Sequence, residues 1–382
     1  MNFEPTEDQR RIRDAVREFA EAEIAPGVAA REASEEFPRE ILRKLAEMGV
    51  MGMMVPEAYG GAGADCLSYI LAIEELARVC ASTAVIVSVN NSVACYPIWK
   101  FGSEEQKTTV LSELASGRAL GAYALTEPQS GSDAANQKTR AVKDGAHYVL
   151  DGSKSWITNA GEADWYVVMT MTDPSAGTRG ITAFLVSAKD PGVSVGAPED
   201  KMGLRASKTA SLTLEGVRIP ASRRLGEEGQ GFTIAMTTLD HSRIGIAAQG
   251  IGIGQAAYEA AVSYAQTRET FGRKLAEHEI IAFQVADMRL QLEAARLLTY
   301  RAAHLSEGGG RFSKESSMAK VYATEAANAI AARAVQIFGG YGYSREYPVE
   351  RYYRDARVTT IYEGTSEIQR IVISKNLLRE SA

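Results

Sequence analysis

The chain has 382 residues, 45% of them hydrophobic, and carries a formal net charge of −6 with a sequence pI near 5.5. That is enough apolar material for two or three domains, while the acidic balance excludes a protein built to grip nucleic-acid phosphates. No run approaches the ~18 consecutive apolar residues of a membrane helix, and the polar, charged start from Met1 to Arg13 matches neither a signal nor a transit peptide.

These features predict a soluble intracellular protein with no membrane or nucleic-acid partner. It would be cytoplasmic in a bacterium, or in the mitochondrial matrix if the chain is a processed one. Cys66, Cys80 and Cys95 lack metal-ligand spacing and sit among apolar residues, so they read as small core fillers. The four histidines are scattered, and His278-Glu279 lacks the second His of a zinc-binding helix. No metal site is expected.

Residues 1–120 read as a helical domain. Ile12, Val16, Phe19 and Ala20 share one face of a run over Arg10 to Glu23, which Pro26 is expected to end. A second helix spans Phe37 to Met48, with Pro38 at its start and Gly49 after its end. The stretch Pro56 to Gly63 is a loop. It is followed by a helix over Leu67 to Arg78, a small-residue segment from Ser82 to Trp99, and a helix over Glu104 to Ala115. Ser103 and Gln106 form a capping box for the last of these.

Residues 121–227 change character. Short β-branched or aromatic runs at Ala141-Val142, Tyr148 to Leu150, Trp165 to Thr170, Ile181 to Val186 and Ser211 to Leu214 are separated by turn signals such as Asp144-Gly145 and Asp151-Gly152. With no long helix between them, an antiparallel sheet or barrel is expected rather than a βαβ fold. Residues 228–382 return to helical periodicity, with helices over Phe232 to Thr267 (on the order of 50 Å at 1.5 Å per residue), Leu275 to Ser306 and Lys314 to Phe338. Short loops between long helices predict a bundle.

Several stretches carry polar chemistry. Gly252-Ile253-Gly254-Gln255-Ala256-Ala257 matches a dinucleotide fingerprint, but it lies within helical periodicity with no strand ahead, so close helix packing explains it better. Tyr123 to Asp133 leaves a strand and becomes a Gly/Ser/Thr/Asp loop able to bind ligand oxygens; an ordinary strand connection has the same composition. Lys154-Ser155-Trp156-Ile157-Thr158-Asn159 suits stacking on a flat heterocycle, and equally a Trp buried in a sheet. Asp240 and Arg243 read as an ion pair on a solvated helix face or as a ligand-binding Arg. Arg268 to Arg273 closes a helix with glycine and cations, and Gln336 to Tyr343 is a glycine cluster at another helix end.

Near the C-terminus, Ile361-Tyr362-Glu363-Gly364-Thr365-Ser366-Glu367-Ile368-Gln369-Arg370 places a carboxylate just ahead of a helix, with Ser366 and Gln369 expected as its capping box. Glu363 reads as a proton-abstracting base on a loop, or as a solvated acid favoured by the helix dipole.

Together and in this order, the stretches from Val55 to Gly63, Tyr123 to Asp133, Trp156 to Asn159, Arg268 to Gly272, Gln336 to Gly340 and Tyr362 to Arg370 resemble the acyl-CoA dehydrogenase family over nearly the whole chain. The Y-x-L-T-E-P-x-x-G-S-D and I-Y-E-G-T-S-x-I-Q-R patterns are the most specific. The resemblance implies an α+β fold: an N-terminal helical domain, a middle antiparallel β-barrel and a C-terminal four-helix bundle, assembled as a homotetramer. It also implies FAD-dependent α,β-dehydrogenation of an acyl-CoA to the trans-2-enoyl-CoA in fatty-acid β-oxidation, with electrons passing to an electron-transfer flavoprotein.

Position by position, Glu363 would be the base, with the thioester oxygen held by that residue's own N–H and an FAD hydroxyl. Tyr123, Leu125, Thr126, Gly131 and Ser132 would line the flavin, Ser132 also reaching the CoA part. Trp156, Ile157 and Thr158 would meet the isoalloxazine. Arg268, Phe271, Gln336, Ile337, Gly339 and Gly340 would contact FAD, some of them from a neighbouring subunit. Thr365, Ser366 and Glu367 would lie at the FAD adenosine end, and Asp240, Arg243, Tyr362 and Gly364 at the substrate. Isovaleryl and long-chain members place the base just before the Arg of the D-x-x-R stretch, where this chain has Ser242; Glu279 stands where most members carry an FAD-contacting Gln. Ala81 to Ser92 and Leu239 to Ala247 most resemble short-chain, butyryl-CoA-type members. A branched short substrate, a specialised biosynthetic dehydrogenase or oxidase, and a catalytically silent acyl-CoA-binding protein are the rival readings.

Overall fold

The computed structural model describes residues 4–380. Its first part is helical: α1 (Glu7–Phe19), α2 (Val28–Ser34), α3 (Arg39–Glu47), α4 (Cys66–Val79), α5 (Ala81–Val89), α6 (Tyr96–Phe101), α7 (Glu104–Gln106) and α8 (Ser112–Ala115). Capping boxes open α1 (Thr6 with Gln9) and α7 (Ser103 with Gln106), each satisfying amide N–H groups that a helix start leaves without partners. Pro26 does not end its run as expected. A π turn (Ala20–Ile24) and a 3-10 turn (Ala25–Gly27) carry the chain on into α2, with Pro26 in a first turn, where its missing N–H is not needed. Helix α4 is apolar nearly all round, and Tyr69, Ile70, Ile73 and Leu76 are fully buried, as befits an interior helix.

The middle part holds β1 (Gly121–Ala124), β2 (Arg140–Asp144), β3 (His147–Thr158), β4 (Trp165–Met171), β5 (Ile181–Ser187), β6 (Val193–Val195), β7 (Thr209–Pro220) and β8 (Arg224–Leu225). The expected antiparallel barrel is corrected in two respects. The strand order β6-β7-β3-β2-β4-β5-β8 is an open path, and the sheet is mixed: β1 runs parallel to β4 (Tyr123 opposite Val167) and β2 touches β4 in parallel at Arg140 and Met171. Turn spacing reports hairpins such as β2–β3, whereas parallel neighbours are joined through intervening chain and leave no local signal. Strands β4 and β5 are nearly all apolar because both faces are covered. Tyr166, Val168, Phe184 and Val186 enter the sheet's own core, while Val167, Met169 and Leu185 pack with helical residues such as Leu114, Ile234 and Leu239.

The last part comprises α9 (Gly231–Thr267), α10 (Glu279–Glu307), α11 (Ser313–Phe338), α12 (Val349–Thr359) and α13 (Ser366–Glu380), with a small hairpin of β9 (Glu269–Thr270) and β10 (Arg273–Lys274) between α9 and α10. Helices α9, α10 and α11 pack on one another and α13 lies against α11; α12 is an addition to the expected helices. Gly252 lies inside α9 against the backbone of α4, where a Cβ would run into the Glu74 carbonyl and Ala77. The dinucleotide-like glycines are therefore packing positions, Gly252 at the seam between the two helical parts, which share one core (Ile73, Leu76, Ile244, Ile251), and Gly254 against Leu292, Ala327 and Ile330 of α10 and α11. Cys66, Cys80 and Cys95 are free and buried, and no described helix is long and apolar enough to cross a membrane.

Candidate active site

The short link between α12 and α13 carries Tyr362, Glu363, Gly364 and Thr365. Two consecutive residues there have left-handed backbone, Glu363 at φ 52° and Gly364 at φ 93°. Gly364 adopts it freely, and any Cβ at that position would collide with Gln369 Nε2. Glu363 has a Cβ, and a non-glycine residue in this region costs on the order of 1–3 kcal/mol. Side chains from three helices hold the turn. The Gly364 carbonyl accepts from Lys320 Nζ (2.7 Å) and Gln369 Nε2 (2.8 Å), and the Glu363 carbonyl accepts from Arg243 Nε and Gln369 Nε2, both at 3.3 Å. The predicted cap therefore shifts by one residue. Thr365 Oγ1 accepts the Ile368 N–H at 3.3 Å, and Gln369 gives its amide to the turn instead of to Ser366.

Glu363 as a residue is half-buried, but its Oε2 is sealed off and has no hydrogen-bond partner among the described residues. Burial pushes the carboxyl above the usual carboxylate range; the Ser242 hydroxyl, Lys320 and Arg243 pull the other way without cancelling it. The Tyr123 hydroxyl is likewise buried without a partner, and burial followed by the Glu363 charge raises its pKa. The Tyr362 hydroxyl is taken up by Gln249 Oε1. The Asp240–Arg243 pair (2.6 Å) is not on a solvated face. Arg243 is 4% exposed, its Nε faces Glu363, and Asp240 also accepts from Ser313 Oγ.

The loop after β1 is fastened to β3 by a fully buried ion pair, Glu127 with Lys154 at 2.7 Å. Glu127 also accepts the Lys138 and Thr139 N–H groups, and Lys154 also donates to the Leu125 carbonyl. The Ser155 N–H meets the Thr126 carbonyl at 2.9 Å, which sets loop and strand side by side. One residue on, Trp156 stands at φ 60° in a bulge of β3 and is 61% exposed. Gly131 and Ser132 are exposed, and Thr126 and Thr158 are half-buried. Leu125 and Ile157, expected to line the same ligand, turn their side chains into the core, and their carbonyls already accept from Gln137 and Lys154 and from the Ala160 N–H respectively. An exposed Trp on a strained bulge, a hydroxyl-bearing loop and two sealed polar atoms without partners fit a planar ligand of mixed polarity such as FAD.

A second group lies apart. Arg268, Ile337, Gly339 and Gly340 line a cleft of about 490 Å³ with Tyr264, Thr270, Leu275, Phe338 and Tyr341. None of Glu363, Tyr123 or Trp156 borders it. The Arg268 guanidinium stands 5.7 Å above the Tyr341 ring, and a Cβ on Gly339 or Gly340 would point into open space. Gln336 is exposed, Phe271 is 98% exposed, and Glu279 is exposed in the first turn of α10. Glu367 is exposed and Ser366 buried at the start of α13.

Sequence reasoning passed over Lys320, Gln369 as a turn clamp, and Gln249. Lys320 did leave a trace, because it interrupts a stripe of α11 otherwise made of Ser316, Ala323, Thr324 and Ala327, all buried. A lysine on a buried stripe signals a specific partner.

Three family models cover most of the chain: acyl-CoA dehydrogenase N-terminal domain over residues 6–118, middle domain over 122–217 and C-terminal domain over 229–378. The mitochondrial short-chain specific acyl-CoA dehydrogenase of Mus musculus is 51% identical over 379 residues, 99% of this chain and 92% of the relative. Butyryl-CoA dehydrogenase from Megasphaera elsdenii superposes with a TM-score of 0.98 at 46% identity, covering 99% of this chain and 100% of the other. A chain solved in work on the electron transferring flavoprotein of Acidaminococcus fermentans also superposes at 0.98, with 48% identity over 99% and 100% of the two chains.

Proposed function

The chain belongs to the acyl-CoA dehydrogenase family, and from that premise we propose that it dehydrogenates short-chain acyl-CoA thioesters with Glu363 as the base. Membership makes it an FAD-dependent oxidoreductase acting on acyl-CoA. Bound FAD supplies the acceptor for the hydride that leaves the β-carbon. The sealed, unpartnered Oε2 of Glu363 supports the role of base above all. A proton beside a thioester is weakly acidic, so its base needs a raised pKa and a dry setting. Burial meets both needs, while Arg243, Lys320 and Gln369 keep the carboxylate's backbone from swinging. Ser242, a neutral hydroxyl at neutral pH, faces Glu363 from α9 and cannot take its place as base.

Under this reading Gly364 leaves room for the thioester, and Asp240 and Arg243 serve it by bracing the turn. Exposed Ser132 reaches the CoA part, and Tyr123, Thr126, Gly131, Trp156 and Thr158 border the flavin. The separation of the Arg268–Gly340 cleft from Glu363 and the bare Phe271 side chain support service to the cofactor of a neighbouring copy in a homotetramer. The names of the relatives support a short acyl chain, and the Acidaminococcus structure supports an electron-transfer flavoprotein as acceptor.

Anaerobic bleaching of the flavin spectrum, followed across acyl-CoAs of increasing length for the parent enzyme and Glu363→Gln, tests the proposal. The parent should bleach fastest with a butyryl-length substrate, and the variant should keep its flavin spectrum yet bleach about 10²–10⁴-fold more slowly. Near-parental bleaching by the variant would remove Glu363 as the base, and a preference for long chains would remove the short-chain assignment.

A further inference from the structure

We propose that Lys320 is a positioning residue for the base: its ammonium pins the Gly364 carbonyl and presents its positive charge to the Glu363 carboxylate. This rests on Glu363 being the base, but it concerns a residue that touches neither substrate nor cofactor in that reading.

The argument starts from burial. Lys320 is 0% exposed on the inward stripe of α11, between Ser316 and Thr324. A sealed ammonium is far less stable there than an apolar side chain of its size unless specific partners meet it. The partner the structure provides is the Gly364 carbonyl at 2.7 Å, in the residue after the base and at the crest of the left-handed turn. A lysine required only to fill space would leave its nitrogen near water.

The charges around the turn single it out further. Glu363 is faced by Ser242 and Arg243 from α9, by Tyr69 from α4, by Tyr123 from β1 and by Lys320 from α11. Arg243 is already paired with Asp240 at 2.6 Å, which offsets much of its charge. Lys320 itself is faced by Glu363, Arg243, Glu325 and Glu367, with Glu363 the strongest charge acting on it. Glu325 is held by Arg370 at 2.6 Å, and Glu367 is exposed, so neither competes closely. Burial brings the Lys320 ammonium down to about 7, with the Glu363 charge opposing that fall.

Two variants separate the hydrogen bond from the charge. Lys320→Gln keeps a donor for the Gly364 carbonyl and removes the cation; Lys320→Met removes both. Without the cation the Glu363 carboxylate loses an opposite charge, so the acidic limb of the kcat/KM–pH profile should move up by about one unit in both variants. Plateau kcat should stay within a few-fold of the parent in Lys320→Gln and fall about 10–100-fold in Lys320→Met, where the Gly364 carbonyl is left to Gln369 alone. KM should change little in either, since Lys320 does not meet the substrate. Folded, flavin-loaded variants with the parental acidic limb would overturn the proposal. So would loss of folding or of flavin in both variants, which would make Lys320 a residue of the fold alone. Glu363→Gln run beside them separates the two ideas. If that variant is inactive while the lysine variants behave as the parent, only the role of Lys320 falls; if it stays active, the base assignment itself falls.

Discussion

At the scale of residues, the turn at Glu363 concentrates strain and hydrogen bonding in very few atoms. A glutamate and a glycine, both at positive φ, expose two carbonyls that Arg243, Lys320 and Gln369 satisfy from the surrounding helices. Gly364→Ala places a methyl where Gln369 Nε2 now sits and forces an alanine into φ 93°. We expect it to lower stability by about 1–3 kcal/mol and kcat by at least ~10-fold, read from thermal melts and steady-state kinetics. Parental turnover in this variant would show that the turn tolerates displacement. The glycine's freedom and the carboxylate's place ahead of a helix were legible from local composition. The clamp was not, because Arg243 and Lys320 lie 120 and 44 residues from the carbonyls they hold, and hydrogen bonds of that range leave no periodicity.

At the scale of elements, the Glu127–Lys154 pair joins the loop after β1 to the bulged strand β3 and so places Trp156 beside Thr126. Burial alone would raise the Glu127 carboxyl, but Lys154 and the Lys138 N–H outweigh it and hold it below its usual value. Burial draws Lys154 down to about 8, with Glu127 resisting. Removing one partner leaves the other charge buried. Lys154→Met should therefore destabilise by about 3–5 kcal/mol, and adding Glu127→Gln should recover part of the loss. Additive losses in denaturant titrations of the single and double variants would mean that the two groups do not depend on each other. Strand positions were readable from β-branched runs, whereas the bulge was not. Its cause is the register break between Lys154 and Ile157 against β7, a property of the pairing and not of β3 alone.

At the scale of the whole molecule, three distant segments meet at two buried acids. Glu32 of α2 accepts the Arg205 N–H at 2.9 Å, and Asp355 of α12 accepts the Leu204 N–H at 2.8 Å. Gly203 lies so close to the Arg354 backbone that a Cβ there would come within 2.6 Å of it. Burial, then the Glu32 charge, pushes the Asp355 carboxyl up to about 7 from 3.8. The folded chain thus keeps a proton that the unfolded chain releases between these values. Stability from this group is full below about 4, falls as pH rises toward 7 and is flat above, by about 1.4 kcal/mol per unit of displacement. Asp355→Asn should raise the melting temperature more at pH 8 than at pH 5. An equal shift at both would show that Asp355 does not change its protonation between those pH values.

The sequence by itself determined the order of helical, sheet and helical parts, the run of most helices and strands, and the family motifs. These depend on periodicity, turn residues and short spacings, which are local. Tertiary structure alone decided the parallel pairing of β1 with β4 and the burial of the Asp240–Arg243 pair. It also decided that Lys320 points at the residue beside Glu363. Each of these is an encounter between segments far apart in the chain, set by which faces pack together, and no pattern within either segment encodes it.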